Sequence, residues 1–142
     1  MTHPVPYLSF DGCCKQAMRF YDAVLRGTHV SMMSVGESPM AEFSPPEAKD
    51  RIVHARLELP DGGVLMADDA PVGEPYDGIK GVCVALTFDT AAEAHRVFDA
   101  LSIGGTVTMP MQATCWTTAF GTVTDRFGTP WAINGEQTRK SA

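Results

Sequence analysis

Hydrophobic and polar residues follow two rhythms along this chain, one typical of strands and one typical of helices. An apolar run over 5–10 predicts a strand, and the helical spacing of the apolar residues that follow predicts a helix ending near Gly27. Three more strands are predicted over 28–35, 52–59 and 64–68. The first half of the chain therefore has the predicted order βαβββ.

The second half of the chain repeats this order. A strand is predicted over 82–88, and Thr90-Ala91-Ala92-Glu93 has the spacing of a capping box that starts a helix. Gly104-Gly105 ends this helix. The three strands that follow are predicted over 107–111, 119–124 and 131–134.

Residue identities support the repeat. Leu8-Ser9-Phe10-Asp11 recurs as Leu86-Thr87-Phe88-Asp89, and Gly27-Thr28 recurs as Gly105-Thr106. Both correspondences have the same offset of 78 residues. Because chance matches would scatter over many offsets, this constancy indicates two similar modules.

Two such modules predict an α+β protein with eight strands and two helices. We predict a single domain over 1–142, made of module 1 (4–68), a linker (69–80) and module 2 (81–136). Each helix covers one face of its own sheet, so the other faces of the curved mixed sheets are expected to enclose a cavity. Clefts between modules commonly bind ligands, and a small molecule is the expected partner.

Composition narrows the function classes. The chain has 17 acidic and 11 basic residues and a formal net charge of -6, and its basic residues are scattered, which argues against nucleic acid. No apolar run reaches the roughly 18 residues of a membrane span, and the first residues lack the features of a signal peptide. We therefore expect a cytoplasmic protein whose four cysteines are reduced thiols. No CxxC pair is present, which argues against a zinc ribbon or a thioredoxin-type redox site.

The third predicted strand carries the most reactive row of side chains. Alternation places Val53, Ala55, Leu57 and Leu59 under the helix, and it places His54, Arg56 and Glu58 on the opposite face. Arg56 is a candidate for holding an anionic ligand, and His54 is a candidate catalytic base. The alternative is a solvated or internally paired row, because charged pairs are ordinary in sheets.

Other candidate ligand-binding residues lie on the predicted cavity faces or at strand ends. Trp116 would stack on a planar ligand, or else pack in the core or a dimer interface. Asp68 has a capping or turn role as its alternative. The segment 37–50, rich in proline, is either a lid or a mobile loop. The set of ligand-binding candidates is Tyr7, Ser9, Arg56, Asp68, Cys83, Trp116 and Asn134.

Several motifs resemble one family. Ala85–Ala94 resembles a glyoxalase segment, and Pro6-Tyr7-Leu8, His54-Ala55-Arg56-Leu57 and Thr124–Trp131 resemble the PhnB-like branch of the vicinal oxygen chelate superfamily. That superfamily includes glyoxalase and bleomycin resistance proteins, and this branch is often labelled 3-demethylubiquinone-9 3-methyltransferase. The resemblance covers nearly the whole chain and implies paired βαβββ modules and a homodimer.

The resemblance also implies where a metal would bind, but the residues at those positions are not the usual ligands. The histidine positions of the superfamily fall on Cys83 and near Val5, and the glutamate positions fall near Met66 and Ala132. We therefore predict no usual metal site and no cofactor. A rebuilt site is the alternative, with His3, Asp68 and Asn134 beside Cys83.

Two functions follow from these observations, with a structural role ranked last. The first is binding of a small molecule in the sheet cavity without the usual metal site. The second is an enzyme of lyase, dioxygenase or transferase type, using a non-standard metal site or His54 as base. A methyltransferase of Rossmann type is disfavoured because no strand leads into a glycine-rich loop.

Overall fold

A computed structural model describes residues 2–138 and confirms the α+β fold. The chain divides into two compact units, the first ending at Gly78 and the second starting at Ile79. Each unit has one α-helix and one four-stranded sheet that mixes parallel and antiparallel pairs. Most of the predicted linker, residues 69–78, belongs to unit 1. Asp69 ends a strand of this unit, and the Tyr76 hydroxyl donates a hydrogen bond to the Ser9 carbonyl.

Unit 1 has the predicted order βαβββ. Its sheet order is β1-β4-β3-β2, in which β1 runs parallel to β4 and the other neighbours are antiparallel. The elements are β1 (Tyr7–Phe10), α1 (Cys14–Leu25), β2 (His29–Ser34), β3 (Ile52–Glu58) and β4 (Val64–Asp69).

Unit 2 repeats this arrangement. Its sheet order is β5-β8-β7-β6, and β5 runs parallel to β8. The elements are β5 (Val84–Thr87), α2 (Ala91–Ser102), β6 (Thr106–Gln112), β7 (Phe120–Thr124) and β8 (Pro130–Asn134). The first strand of each unit is shorter than predicted. Alternation along the predicted strand 82–88 puts Val82 on the same face as the buried Val84, under the helix, but Val82 lies before β5 and is 61% exposed, so this prediction is wrong.

The predicted helical faces form the core of each unit. All five apolar residues predicted for the buried face of α1 are buried, namely Cys14, Ala17, Met18, Tyr21 and Leu25. In unit 2, α2 buries Ala94, Val97, Phe98 and Leu101. Each helix packs on its own sheet and so buries one sheet face, leaving the other free of helix.

The two helices begin in different ways. Helix α1 has no side-chain cap of its own, and the buried carboxylate of Asp69 accepts from the backbone N–H groups of Gly12 (2.8 Å) and Cys14 (3.0 Å). The other Asp69 oxygen accepts from the Ile52 N–H at 2.8 Å. Helix α2 is capped locally, since the Thr90 hydroxyl accepts from the Glu93 N–H.

The long segment between β2 and β3 is built from three short 3₁₀ turns, Val35–Glu37, Pro39–Phe43 and Pro46–Ala48. The first begins with a capping box, in which the Ser34 hydroxyl oxygen accepts from the Glu37 N–H and the Ser34 N–H donates to the Glu37 carboxylate. The Ser34 hydroxyl also donates to this carboxylate. These hydrogen bonds lower the pKa of Glu37, with the hydroxyl making the larger contribution.

A β-bulge at the start of β3 changes which way one side chain points. Ser34 pairs with Ile52 while Met33 pairs with His54, so Val53 is the extra residue. Ile52 borders the same groove as Lys15 and Arg19 of α1, whereas Val53 lines a pocket with Asp68. Strict alternation therefore fails at the bulge, because Ile52 and Ala55 are three residues apart and both are buried.

Candidate functional site

Five of the sequence-predicted site residues share one face of the unit 1 sheet. We call the side of this sheet turned away from α1 the free face. Strand register brings Ser9 level with Asp68 and puts Tyr7 and Arg56 on either side of Met66. Extending the β3–β4 register by one residue brings His54 level with Asp68. The free face therefore carries Tyr7, Ser9, His54, Arg56 and Asp68.

Tyr7 and His54 contact each other directly. The Tyr7 hydroxyl lies 3.3 Å from His54 Nδ1, and the two ring centroids are 6.0 Å apart. Burial, and then the nearby Asp68 carboxylate, raise the pKa of Tyr7, so its phenol stays protonated well above neutral pH. The protonated Tyr7 hydroxyl can donate to Nδ1 or accept from an Nδ1–H, and the His54 tautomer decides which. In both cases Nε2 is the nitrogen left for a ligand.

Ser9 and Asp68 form a second pair on this face. The Ser9 hydroxyl donates to Asp68 Oδ1 at 2.7 Å. The other oxygen of Asp68, Oδ2, has no hydrogen-bond partner among residues 2–138. Asp68 therefore has one oxygen held in place and one that a ligand could contact.

Arg56 is the least satisfied polar group of the face. Its Nε is buried and has no hydrogen-bond partner in the described part of the chain. Its nearest carboxylate belongs to Glu58, at 3.8 Å, and both side chains are partly exposed. A pair this long and exposed is weak. The side chains of His54, Arg56 and Glu58 are therefore only weakly paired with one another, and the Arg56 guanidinium retains N–H donors for a ligand.

A pocket of about 400 Å³ lies at the end of the free face, where β4 ends and β3 begins. We call it the strand-end pocket. Asp68 and Val53 belong to the sheet side of the pocket, and the 3₁₀ turns after β2 form the other side. The predicted lid segment thus borders a pocket within unit 1. The apolar lining includes Val35, Met40, Phe43, Ala48, Val53 and Val72.

Sequence reasoning missed most of this pocket. Asp68 was the one pocket residue among the candidates, and the apolar residues of the irregular segment were not. A usable signal is present, because Met40 and Phe43 are large apolar residues in a polar, proline-rich stretch. Both are exposed in the structure, Phe43 by 87%. Exposed apolar residues around a concavity are typical of a binding site.

The remaining candidates lie in unit 2. Asn134 is the register partner of both Thr87 and Phe120, and the Trp116 ring contacts Phe120 edge-on at 5.7 Å between centroids. Trp116 lies in the loop before β7 and is 46% exposed. Cys83 is exposed and lies just before β5. Among the ion pairs of residues 2–138 that the structure shows, none involves these three residues.

The positions that the superfamily uses for metal binding do not fit a metal in this chain. Met66 and Ala132 lie on β4 and β8 and offer no nitrogen or oxygen ligand, and neither does Val5. Across residues 2–138, no group of three or more His, Cys, Asp or Glu side chains is placed to hold a metal ion. Of the rebuilt set, His3 and Asp68 belong to unit 1, and Cys83 and Asn134 belong to unit 2.

Comparison with known proteins identifies the family. The model of the family described as 3-demethylubiquinone-9 3-methyltransferase matches residues 2–134. Protein YjdN of Escherichia coli (strain K12) is 34% identical over 137 residues, covering 91% of this chain and 92% of that protein.

None of the helices within residues 2–138 is long and apolar enough to cross a lipid bilayer.

Solved structures show the same fold. Protein PA1353 from Pseudomonas aeruginosa is 44% identical, with a TM-score of 0.87, over 96% of this chain and 98% of that one. A glyoxylase/bleomycin resistance protein/dioxygenase domain from Frankia sp. EAN1pec shares the fold at 12% identity, with a TM-score of 0.64, over 95% and 98% of the two chains. The chain therefore belongs to the family described as 3-demethylubiquinone-9 3-methyltransferase, and it has the fold of glyoxylase/bleomycin resistance proteins.

Proposed function

We propose that this protein binds a small molecule on the free face of unit 1, through a ligand oxygen that accepts from Arg56. The observation that carries the proposal is the buried Arg56 Nε without a partner, on the same face as the Tyr7–His54 pair. The metal-binding positions of the superfamily do not fit a metal here, so these side chains are the ligand-contacting groups that we propose.

The energetics of Arg56 favour an anionic or carbonyl oxygen. A buried donor left without an acceptor costs about 1–3 kcal/mol, and more when the group is charged. A ligand carboxylate would remove that penalty and form a charge-assisted hydrogen bond, which is stronger than one between neutral groups. The 3.8 Å contact with Glu58 does not compete strongly, because it is partly exposed.

The Tyr7–His54 pair would orient the ligand. In the tautomer whose Nδ1 accepts from the Tyr7 hydroxyl, His54 carries its hydrogen on Nε2 and would donate it to a second ligand oxygen. A molecule with two oxygens at neighbouring positions, such as a keto acid, matches this donor pair. The planar part of such a molecule would lie along the free face.

Direct binding tests the proposal. A panel of planar and anionic metabolites is screened by ligand-observed NMR, and hits are measured by calorimetry on the wild type and Arg56→Ala. We expect the substitution to weaken a carboxylate hit about tenfold or more. Thr122→Ala is the matched control, since Thr122 holds the corresponding position in the unit 2 sheet. Failure of every compound to bind, or equal binding by Arg56→Ala, would overturn the proposal.

A second candidate function is an enzyme that uses His54 as general base. The Tyr7–His54 contact favours it, because in the tautomer whose Nδ1–H donates to the Tyr7 oxygen the ring is held in place and Nε2 is left to accept a proton. Each hit is incubated with the wild type, with His54→Ala and with His95→Ala as control, and conversion is followed by NMR. Conversion lost only in His54→Ala supports catalysis. Turnover that survives in His54→Ala removes this residue from the mechanism.

The homodimer and the cytoplasmic location remain proposals that rest on the family resemblance and the sequence. Sheet edges that need cover favour a dimer, and twofold association is the commonest way to supply it. Light scattering on the purified full chain tests the first. A single species at monomer mass would contradict it.

A further inference from the structure

The strand-end pocket offers a different chemistry from the Arg56 region of the free face. Its lining is mostly apolar, and its volume of about 400 Å³ is at the lower end of the range for small-molecule sites. A single ring with a short substituent is the size of ligand that such a volume accommodates. Phe43 and Met40 are exposed residues that line this pocket, and such a ligand would shield their side chains from water.

Two other charged side chains, Asp69 and Arg51, line the strand-end pocket, and both have partners within unit 1. Both oxygens of Asp69 accept backbone N–H groups, so this carboxylate is already used. Arg51 pairs with Asp11 at 2.9 Å and donates to the Ala70 carbonyl at 2.7 Å. Among the lining carboxylates, Asp68 is then the one with an oxygen, Oδ2, that has no hydrogen-bond partner among residues 2–138.

We propose that the strand-end pocket binds a small primary amine with an apolar body, whose ammonium group contacts Asp68 Oδ2. The apolar body would contact the side chains of Ala48, Val53 and Val72, and Phe43 would offer its ring to the cation at the pocket. A carboxylate in an apolar surrounding favours a cation over a neutral donor, because the ion pair is screened less than at an exposed site. This site is separate from the Arg56 contact and does not depend on it.

The test uses benzylamine as the probe, with toluene and benzoate as comparison probes. Amide shifts of the ¹⁵N-labelled full chain are followed during each titration. We expect saturable shifts at Ala48, Val53 and Ala70 with benzylamine, weaker binding of toluene, and no binding of benzoate at these amides. Binding of benzoate as tight as that of benzylamine, or no saturable shift with benzylamine, would overturn the proposal.

Variants separate the ion pair from the cavity. Asp68→Asn keeps an oxygen for Ser9 and removes the charge, so benzylamine binding should weaken about tenfold. Asp50→Asn is the matched control, because Asp50 is exposed and does not line this pocket. Equal weakening by both variants, or by neither, would overturn the contact with Asp68.

Filling the pocket should abolish benzylamine binding. Val72→Trp adds a ring into the pocket from a loop, and Ala48→Trp adds one from the opposite side, while Glu47→Trp adds the same ring at an exposed position next to it. Unchanged amide spectra away from the pocket confirm that each variant folds. Arg56→Ala should leave benzylamine binding unchanged, so failure of this site and failure of the Arg56 proposal give different results.

Discussion

The two units of this chain share one fold but use different residues at the junction of sheet and helix. Both have the same strand order and a twelve-residue helix. In unit 1, Asp69 at the end of β4 holds the start of α1 from a distance of more than 50 residues along the chain. In unit 2 the corresponding position is Gly135, and Thr90 caps α2 locally. The same backbone junction therefore tolerates a distant or a local solution.

Packing explains why unit 2 has no carboxylate at this position. A Cβ atom at Gly135 would lie 2.8 Å from Thr118 Oγ1 and 3.2 Å from the Cα of Ala91, the first residue of α2. The helix start approaches the strand end too closely for a side chain to fit between them. In unit 1 that space exists, and Asp69 fills it.

The two units also differ in the residues on the sheet face that is turned away from the helix. The unit 1 face has titratable residues where the unit 2 face has uncharged ones, so charge chemistry is concentrated in unit 1. The strand register gives the equivalent positions in unit 2, which are Ala85 for Tyr7, Phe120 for His54, Thr122 for Arg56 and Asn134 for Asp68. The Thr122 hydroxyl forms a 2.6 Å hydrogen bond with the Thr108 hydroxyl. A repeated fold therefore supplies the frame, and substitution at equivalent positions supplies the site.

The largest expected effect comes from Asp69→Ala. It leaves the N–H groups of Gly12, Cys14 and Ile52 without their acceptor, at about 1–3 kcal/mol for each group that stays buried. We expect the free energy of unfolding by urea to fall by about 3 kcal/mol or more. Asp68→Ala, one residue away and holding only the Ser9 hydroxyl, should lose less than about 1 kcal/mol. Similar losses in the two variants would refute the bridging role of Asp69.

Gly135→Ala should have the next largest effect. The added methyl group has no room beside Thr118 and Ala91, and overpacking of this kind costs about 1–3 kcal/mol. Removing the nearest atom in the double variant Gly135→Ala/Thr118→Ala should recover part of the loss. The readout is the urea midpoint, and a wild-type midpoint for Gly135→Ala would show that the junction of unit 2 is not tightly packed.

A pH dependence should distinguish the two helix starts. Burial first, and then the Asp69 carboxylate, raise the pKa of the Cys14 thiol above its usual 9.0, whereas the repeat places Ala92 at this position in α2. The folded state then holds this proton more tightly than the unfolded state. Stability from the protonated thiol is complete below pH 9 and is lost as pH rises above it, by at most about 1.4 kcal/mol per pH unit.

Comparison with Cys14→Ala isolates that contribution. The slope of unfolding free energy against pH above 9 should be shallower in this variant than in the wild type, while Cys83→Ala, at an exposed site, should keep the wild-type slope. Identical slopes in all three proteins would contradict the raised pKa of Cys14.

Thr90→Ala should have the smallest effect. It removes the hydroxyl that accepts from the Glu93 N–H, and loss of such a cap costs about 1 kcal/mol. Asp89→Ala, the neighbouring change outside the cap, should stay within about 0.5 kcal/mol of the wild type in the same urea titration. A loss for Thr90→Ala as large as that for Asp69→Ala would remove the contrast between local and distant capping.

Local patterns were enough to predict the order of elements. Helical spacing identified the buried face of α1, and alternation placed Tyr7, Ser9, His54 and Arg56 on one face. Alternation failed at the start of β3, because the bulge there depends on how β2 and β3 pair. It also gave no reason to connect Tyr7 with His54, which are 47 residues apart.

The sequence by itself determined the two βαβββ modules, since periodicity, glycine positions and a local cap at Thr90 act between neighbouring residues. Only the tertiary structure decided the role of Asp69, the unpartnered Nε of Arg56 and the pocket beside Asp68. These features depend on which distant groups come within hydrogen-bond range and on the space left between packed elements. Neither quantity is contained in a pattern that repeats over a few residues.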